Sequence, residues 1–311
     1  MAYLTMITYT REGETFTSEL KEIADALYSI YQNKFEVIIC CEAIFDIHVS
    51  LPYDIKMVNC SGTKYRRLIY AMSLDDSTYY ISVDNDILGN IHNIIKLVRE
   101  MIRGDYDVGW GKIETRNVHG IISKLVTVDK MLSHNILRPF MWNCKIGISV
   151  PGQVFCIKAS SYRGNLIKLD TFLDDLALGL YSSNTHKKIL MLLDIMGYES
   201  PNTTKKGLWQ QRIRWAKGFV SILHGVHDTK SKCKVIAHGF AYHGLWIVVW
   251  AVLGFIINQN GFCGILGLLL LALLISGRKI SMIKYAVLYI ILFPIFHLRW
   301  IYELISNLSE E

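Results

Sequence analysis

The sequence predicts an α/β domain with a mainly parallel sheet, followed by a membrane-spanning tail. Three observations carry this. Short apolar runs alternate with helix-like stretches through residues 1–110. Acidic residues gather directly after one of those runs, at Asp84-Asn85-Asp86. Hydrophobic residues make up 51 % of the 311, and the excess lies mostly after residue 235.

The elements follow in order. Tyr3 to Tyr9 is a short β-rich run. Ser18 to Tyr31 repeats apolar residues at helical spacing. Phe35 to Cys41 is apolar except for Glu36, as in a strand buried on both faces. Ile55 to Asn59 reads as a short strand, Lys64 to Leu74 as a helix, Tyr79 to Val83 as a buried strand and Ile91 to Arg103 as a helix. Residues 104–215 mix Gly, Pro and aromatics in short segments, with no internal repeat.

The tail holds three apolar stretches, Val235–Ile257, Phe262–Ser276 and Ile280–Phe296. Spanning a bilayer takes about 20 residues, so the second is short. Lys284 lies near the start of the third, where its long side chain can snorkel. Lys230, Lys232 and Lys234 precede the first stretch, Arg278 and Lys279 precede the third, and Asn258–Gly261 between the first two carries no charge. The positive-inside rule therefore expects Lys234 and Arg278 in the cytosol and Asn260 outside.

Composition narrows the function. A net charge of +6 suits an anionic membrane face. No basic block with interleaved aromatics is present, so nucleic acid is not an expected partner. Seven cysteines at irregular spacing, with no CxxC pair, are expected to be reduced and mostly buried. Met1 to Thr10 lacks the charged and apolar regions of a signal peptide, which leaves the catalytic portion in the cytosol.

Four motifs could carry chemistry. Asp84 and Asp86 follow a strand whose carboxyl end is where open α/β sheets bind ligands. They suit a divalent cation held against a diphosphate, or a solvated turn. Asp174-Asp175 opens the helical run Leu176 to Tyr181. It serves either as a favourable helix N-terminus or as a general base. Gln211 shares a helical face with Arg214 and Trp215, where an arginine meets phosphate and an indole meets a sugar or base. The same face also fits an amphipathic helix at a membrane surface. Lys64, with Arg66 and Arg67 close by, suits a phosphate near a helix N-terminus or a solvated basic turn.

In this order the motifs resemble family 2 glycosyltransferases of the GT-A fold. They resemble most the membrane-integrated branch that includes cellulose, chitin and hyaluronan synthases. The stretch from Tyr198-Glu199-Ser200-Pro201 to Gln211-x-x-Arg214-Trp215-x-x-Gly218 is similar to that branch's QxxRW motif and its approach. Asp84-x-Asp86 is similar to the DxD motif, and Asp175 to the last acid of the TED-type motif. Gly152 and Phe155 fall in an acceptor-side segment. Glu42 stands where the family often has an Asp, Thr63 where a Gly precedes the lysine, and Asp174 where a Glu precedes the base.

The resemblance implies an inverting hexosyltransferase using Mg2+ or Mn2+. Asp86 would hold the metal, and Asp175 would be the catalytic base. Glu42, Lys64, Asp84, Gln211, Arg214 and Trp215 would bind donor and nucleotide. Residues 1–215 would form the cytosolic GT-A domain, 216–234 an interfacial segment and 235–311 a membrane domain with about three helices. The donor would be a UDP-sugar and the acceptor a growing polysaccharide at the cell membrane, with membrane lipid around it and a second copy or partner subunit beside it. Two alternatives stay open: single transfer to a lipid, giving a glycolipid, and a non-catalytic subunit of a synthase.

Overall fold

The computed structural model describes residues 4–11, 14–43, 51–74, 76–164, 171–277 and 279–309. Tyr3 and Arg278 lie outside them. Among the described residues eight strands form one sheet: β1 Leu4–Thr10, β2 Phe35–Cys41, β3 Asp54–Asn59, β4 Tyr79–Val83, β5 Leu88–Gly89, β6 Val108–Thr115, β7 Val154–Lys158 and β8 Ile189–Glu199. Their order across the sheet is β3-β2-β1-β4-β7-β6-β8-β5.

The expected parallel sheet is only half of what forms. β3, β2, β1 and β4 run parallel, whereas β7 is antiparallel to both β4 and β6, and β5 to β8. A parallel neighbour needs a long crossover connection. The helices Ser18–Tyr31 and Lys64–Met72 sit in such connections, between β1 and β2 and between β3 and β4. The sheet is therefore mixed.

The chain forms two compact units. The first joins residues 1–113 and 149–199. Every residue of β1 and β4 is buried, which is why their apolar runs do not alternate. Leu20, Ile23, Ala24 and Leu27 form the buried stripe of helix Ser18–Tyr31, and Ile94, Leu97, Val98 and Met101 that of helix Ile91–Gly104. Each of these side chains except Ala24 contributes about 1.5–3 kcal/mol of burial. Thr17, Thr63 and Asn90 cap their helices by accepting from a backbone amide in the first turn. Gly111 in β6 is required by close approach, because a Cβ there would sit 2.5 Å from the Asp194 carbonyl of β8.

The second unit joins residues 114–148 and 200–311. This grouping crosses the linear division at residue 215. Leu125, Val128 and Leu132 of helix Gly120–Leu132 pack with Leu208, Trp246, Ala272, Tyr289, Phe293 and Phe296. Two helices here are long and apolar enough to cross a membrane by length and composition: Thr229–Gln259, 31 residues, and Ile280–Ser309, 30 residues. The helix between them, Gly261–Ile275, has 15 residues and rises about 22 Å, short of a bilayer's hydrocarbon core. Only 11 % of the most apolar window of Thr229–Gln259 is buried, so its side chains, Val248, Val252 and Phe255 among them, face outward.

The thiols depart from expectation. All seven are free, but only Cys40, Cys41 and Cys156 are buried. Cys60 is half-buried, and Cys144, Cys233 and Cys263 are exposed at helix ends and outer faces.

Candidate active site

Topology places the site. From β1 the chain moves outward through β2 to β3, then returns to β4 on the other side of β1. The carboxyl ends of β1 and β4 thus flank a switch point, where open α/β sheets leave a crevice. Asp84 follows β4 there, and Glu42 follows β2 on the same edge. Lys64 is the first residue of the helix after β3. β7 enters at this edge because Val154 pairs with Val83, so Gly152 and Gln153 lie beside the end of β4. The Asp84 amide donates to the Gln153 carbonyl at 2.9 Å.

Lys64 is the hub of the first unit's charged cluster. Its Nζ lies 2.6 Å from Asp84 Oδ1 and 3.5 Å from Asp174 Oδ2, and it donates to the Gly152 carbonyl. Its ammonium stands 5.0 Å from the centre of the Tyr9 ring and 5.7 Å from that of Phe155. The side chain is 20 % exposed, so a solvated basic turn is ruled out. Tyr9 was not a sequence candidate. Its signal is its place at the end of the strand that borders the switch point.

Electrostatics follow from the count of charges. Burial pushes the Lys64 ammonium down, and the Asp174 and Asp84 carboxylates more than offset it, so the net shift is upward. Burial raises the Asp84 carboxyl to about 7 against the pull of Lys64, and Asp174 and Asp86 add to the rise. Asp84, Asp86 and Asp174 outnumber the one ammonium. Burial first, and then that excess, hold the Asp84 carboxyl above its usual range while the lysine stays charged.

The acids fit a divalent cation by chemistry. Asp174 Oδ2 is a buried oxygen without a hydrogen-bond partner, and Asp86 is exposed beside Asp84. Among the described residues no group of three or more His, Cys, Asp or Glu could hold an ion by itself. A Mg2+-type ion commonly uses one or two carboxylates and completes its shell with substrate phosphates and water.

Asp174 and Asp175 open the helix Asp174–Asn184, as the sequence suggests. Asp175 is half-buried, and its Oδ1 accepts from the Leu176 amide at 2.8 Å. Gly152 faces both acids: a Cβ on it would lie 3.4 Å from Asp175 Cβ and 3.6 Å from Asp174 Oδ2. The first unit therefore brings together Lys64, Asp84 and Asp174, with Asp175 next to Gly152.

Glu42 is 43 % exposed and forms an ion pair with Arg67, which is buried and also donates to the Thr10 carbonyl at 3.3 Å. Gln211, Arg214 and Trp215 belong to the second unit, on helix Lys205–Gly225. Gln211 Oε1 accepts from Asn202 Nδ2 at 3.1 Å, Arg214 is exposed and Trp215 is half-buried. Arg212, which lay outside the sequence candidates, is buried and paired with Asp129 at 2.6 Å. Its signal is helical spacing: it shares a face with Leu208, Ala216 and Phe219, all buried.

No family model matches the sequence, and no curated protein matches it. Solved structures do. A mannosyltransferase from Pyrobaculum calidifontis, in complex with GDP-mannose and Mn2+, aligns with a TM-score of 0.57 at 15 % identity, over 98 % of this chain and 88 % of that one. TarS of S. aureus, residues 1–349, aligns with a TM-score of 0.50 at 15 % identity, over 92 % and 90 %. Its complex with UDP-GlcNAc gives 0.50 over 78 % and 72 %. At this identity the likeness is one of fold: the chain has the GT-A fold found in glycosyltransferases.

Proposed function

We propose that the chain is an inverting, metal-dependent glycosyltransferase that moves a sugar from a nucleotide-sugar, a UDP-sugar, to a growing polysaccharide at the membrane. The observation that carries this reading is the Lys64–Asp84–Asp174 cluster at the switch-point edge, with Asp175 beside it. The fold likeness to enzymes solved with GDP-mannose and UDP-GlcNAc adds support.

In this reading Asp86 would hold a divalent cation, with Asp84 beside it on the nucleotide, and the cation would supply positive charge against the leaving diphosphate. Lys64 exchanges its carboxylate partners for a phosphate oxygen. Glu42 meets the nucleotide base. The Asp175 carboxylate takes the proton of the acceptor hydroxyl. As that oxygen bonds to the anomeric carbon, the carbon–diphosphate bond breaks on the opposite face and the nucleoside diphosphate leaves with the electron pair. One displacement inverts the configuration. Gln211, Arg214 and Trp215 bind the donor diphosphate and the acceptor end.

For the domains, we read residues 1–215 as cytosolic and 235–311 as the membrane part, with 216–234 at the interface. The outward apolar side chains of Thr229–Gln259 support membrane contact, since a core helix would bury them.

The test is nucleotide release by purified protein in nanodiscs, across UDP- and GDP-sugars with Mn2+ or Mg2+. Release from one donor, lowered about 100-fold or more in Asp175→Asn with donor binding kept, is the expected result. A long product marks a polysaccharide synthase, and a single-sugar lipid product overturns the polymer in favour of lipid transfer. Silence with every donor would sink the enzyme reading and favour a non-catalytic subunit.

A further inference from the structure

We propose that Asp129, acting through Arg212, is a positioning residue for Trp215. The proposal rests on the functional reading above, in which Trp215 serves the reaction. All the groups involved lie in the second unit.

Helix Lys205–Gly225 is held in rotation by one charged residue. Arg212 points inward with Leu208, Ala216 and Phe219, and its side chain is 3 % exposed. At about 100° per residue, Arg214 falls on the far side, and it is exposed. Trp215, three residues on from Arg212, shares its face. The Arg212 guanidinium lies 4.5 Å from the centre of the Trp215 ring and 5.3 Å from that of Phe293. The arginine therefore fixes the indole directly, through a flat cation–π contact.

Asp129 makes that arrangement tenable. A guanidinium buried among rings is costly without a counter-charge. Asp129 Oδ2 accepts from Arg212 at 2.6 Å, and Asp129 Oδ1 accepts from the Tyr289 hydroxyl at 2.7 Å. Both carboxylate oxygens thus hold a donor, one from Arg212 and one from Tyr289.

The chain of contacts continues and acquires a direction. A phenol has one proton, and Tyr289 gives it to Asp129. His297 Nε2, 3.4 Å from the Tyr289 hydroxyl, must then be the donor in that contact. A neutral imidazole that donates from Nε2 accepts at Nδ1. His243 Nδ1, 3.0 Å away, is accordingly the donor to His297 Nδ1. Every proton from His243 to Tyr289 points toward Asp129. A carboxylate, which accepts at both oxygens, ends the series with Arg212 and Tyr289 both donating to it.

The consequence is a division of labour on one helix. Arg214 and Gln211 are available for ligands, while Arg212 is committed to holding Trp215. Loss of Asp129 should leave nucleotide binding alone and loosen the indole.

The experiment uses the full chain in nanodiscs with six variants, Asp129→Asn, Asp129→Glu, Arg212→Lys and Trp215→Phe, and Asp129→Asn and Arg212→Lys each combined with Trp215→Phe. Acrylamide quenching of Trp215 is read as the difference between each protein and its Trp215→Phe counterpart. Asp129→Asn should raise that quenching about twofold. It should lower kcat for nucleotide release about fivefold, about 1 kcal/mol, with UDP–Mn2+ affinity unchanged. Arg212→Lys keeps the charge for Asp129 but loses the flat face, and should show the same signature with the fold intact. Asp129→Asn with Trp215→Phe should be no slower than Trp215→Phe alone, and Asp129→Glu should recover most of kcat.

Additive losses, unchanged quenching, or a parallel fall in UDP affinity and kcat would overturn the proposal. A wild-type chain that releases nucleotide from no donor would sink the functional reading alone. In that case, raised quenching in Asp129→Asn still upholds the tether and unchanged quenching still overturns it.

Discussion

Lys64 and Asp84 form a 2.6 Å ion pair that joins the first turn of a helix to the carboxyl end of strand β4. Asp174 shares the same ammonium at 3.5 Å. Three segments distant in sequence are thereby fixed around one charge.

Lys64→Met should cost about 2 kcal/mol at pH 8, because it leaves Asp84 and Asp174 facing each other unpaired. The Asp84 carboxyl titrates at about 7, above its usual 3.8, so the folded chain favours its protonated form. That contribution is complete in acid and is lost as pH rises through 7. The cost of the substitution should therefore shrink toward pH 5. Urea unfolding at both pH values measures it, and an equal loss at each would contradict the charge assignment.

Thr63 supplies the cap of helix Lys64–Met72 by accepting from the Arg66 amide at 3.3 Å. Thr63→Ala should cost about 1 kcal/mol, and Thr63→Gly only a few tenths. Equal losses in thermal melts would show that the hydroxyl does not act as the cap. Thr63 thus has its own local reason to be there.

Gly111→Ala should destabilise by about 3 kcal/mol, since its Cβ would meet both Met196 and the Asp194 carbonyl. Backbone on one side leaves little room to yield. A melt within about 1 kcal/mol of wild type would mean that β6 and β8 separate easily.

Alkylation should sort the thiols. Burial pushes the Cys40 thiol up to about 12 and raises Cys156 as well. At pH 8 both should react with iodoacetamide at least about 100-fold more slowly than exposed Cys144 and Cys233. Mass spectrometry of partly labelled protein gives the order, and early labelling of Cys156 would contradict the sheet packing around it.

Strands β2 and β4 were legible to the residue, because a strand buried on both faces writes a continuous apolar run. The antiparallel half was not. β8 is 11 residues long yet buries only Met196 and Gly197 fully, so its pattern is faint. The place of helix Gly120–Leu132 was also unreadable. Leu125 and Val128 find their partners at Tyr289 and Phe293, far along the chain, and no local period encodes such contacts. At the candidate site, residue type and order pointed to Lys64, Asp84 and Asp175; the fold joins Lys64 to Asp84 and to Asp174, the neighbour of Asp175. The pairing of Glu42 with Arg67 and of Arg212 with Asp129 depends on side chains meeting across elements, which one sequence does not display.

The interleaving of the two units sets an order of events during synthesis. The sheet-bearing unit has all its strands once residue 199 has emerged. Helix Gly120–Leu132 is made before that point, but its packing partners at Leu208, Tyr289 and Phe293 are made after it. Leu125, Val128 and Leu132 must therefore wait in water, unburied, while the last hundred or so residues are translated. A ribosome stalled before those helices would display a finished sheet with one adhesive loop, a substrate for chaperones and a seed for aggregation. Cutting the chain between residue 199 and Leu208 to obtain a soluble domain would make that waiting state permanent, unless residues 114–148 were replaced as well.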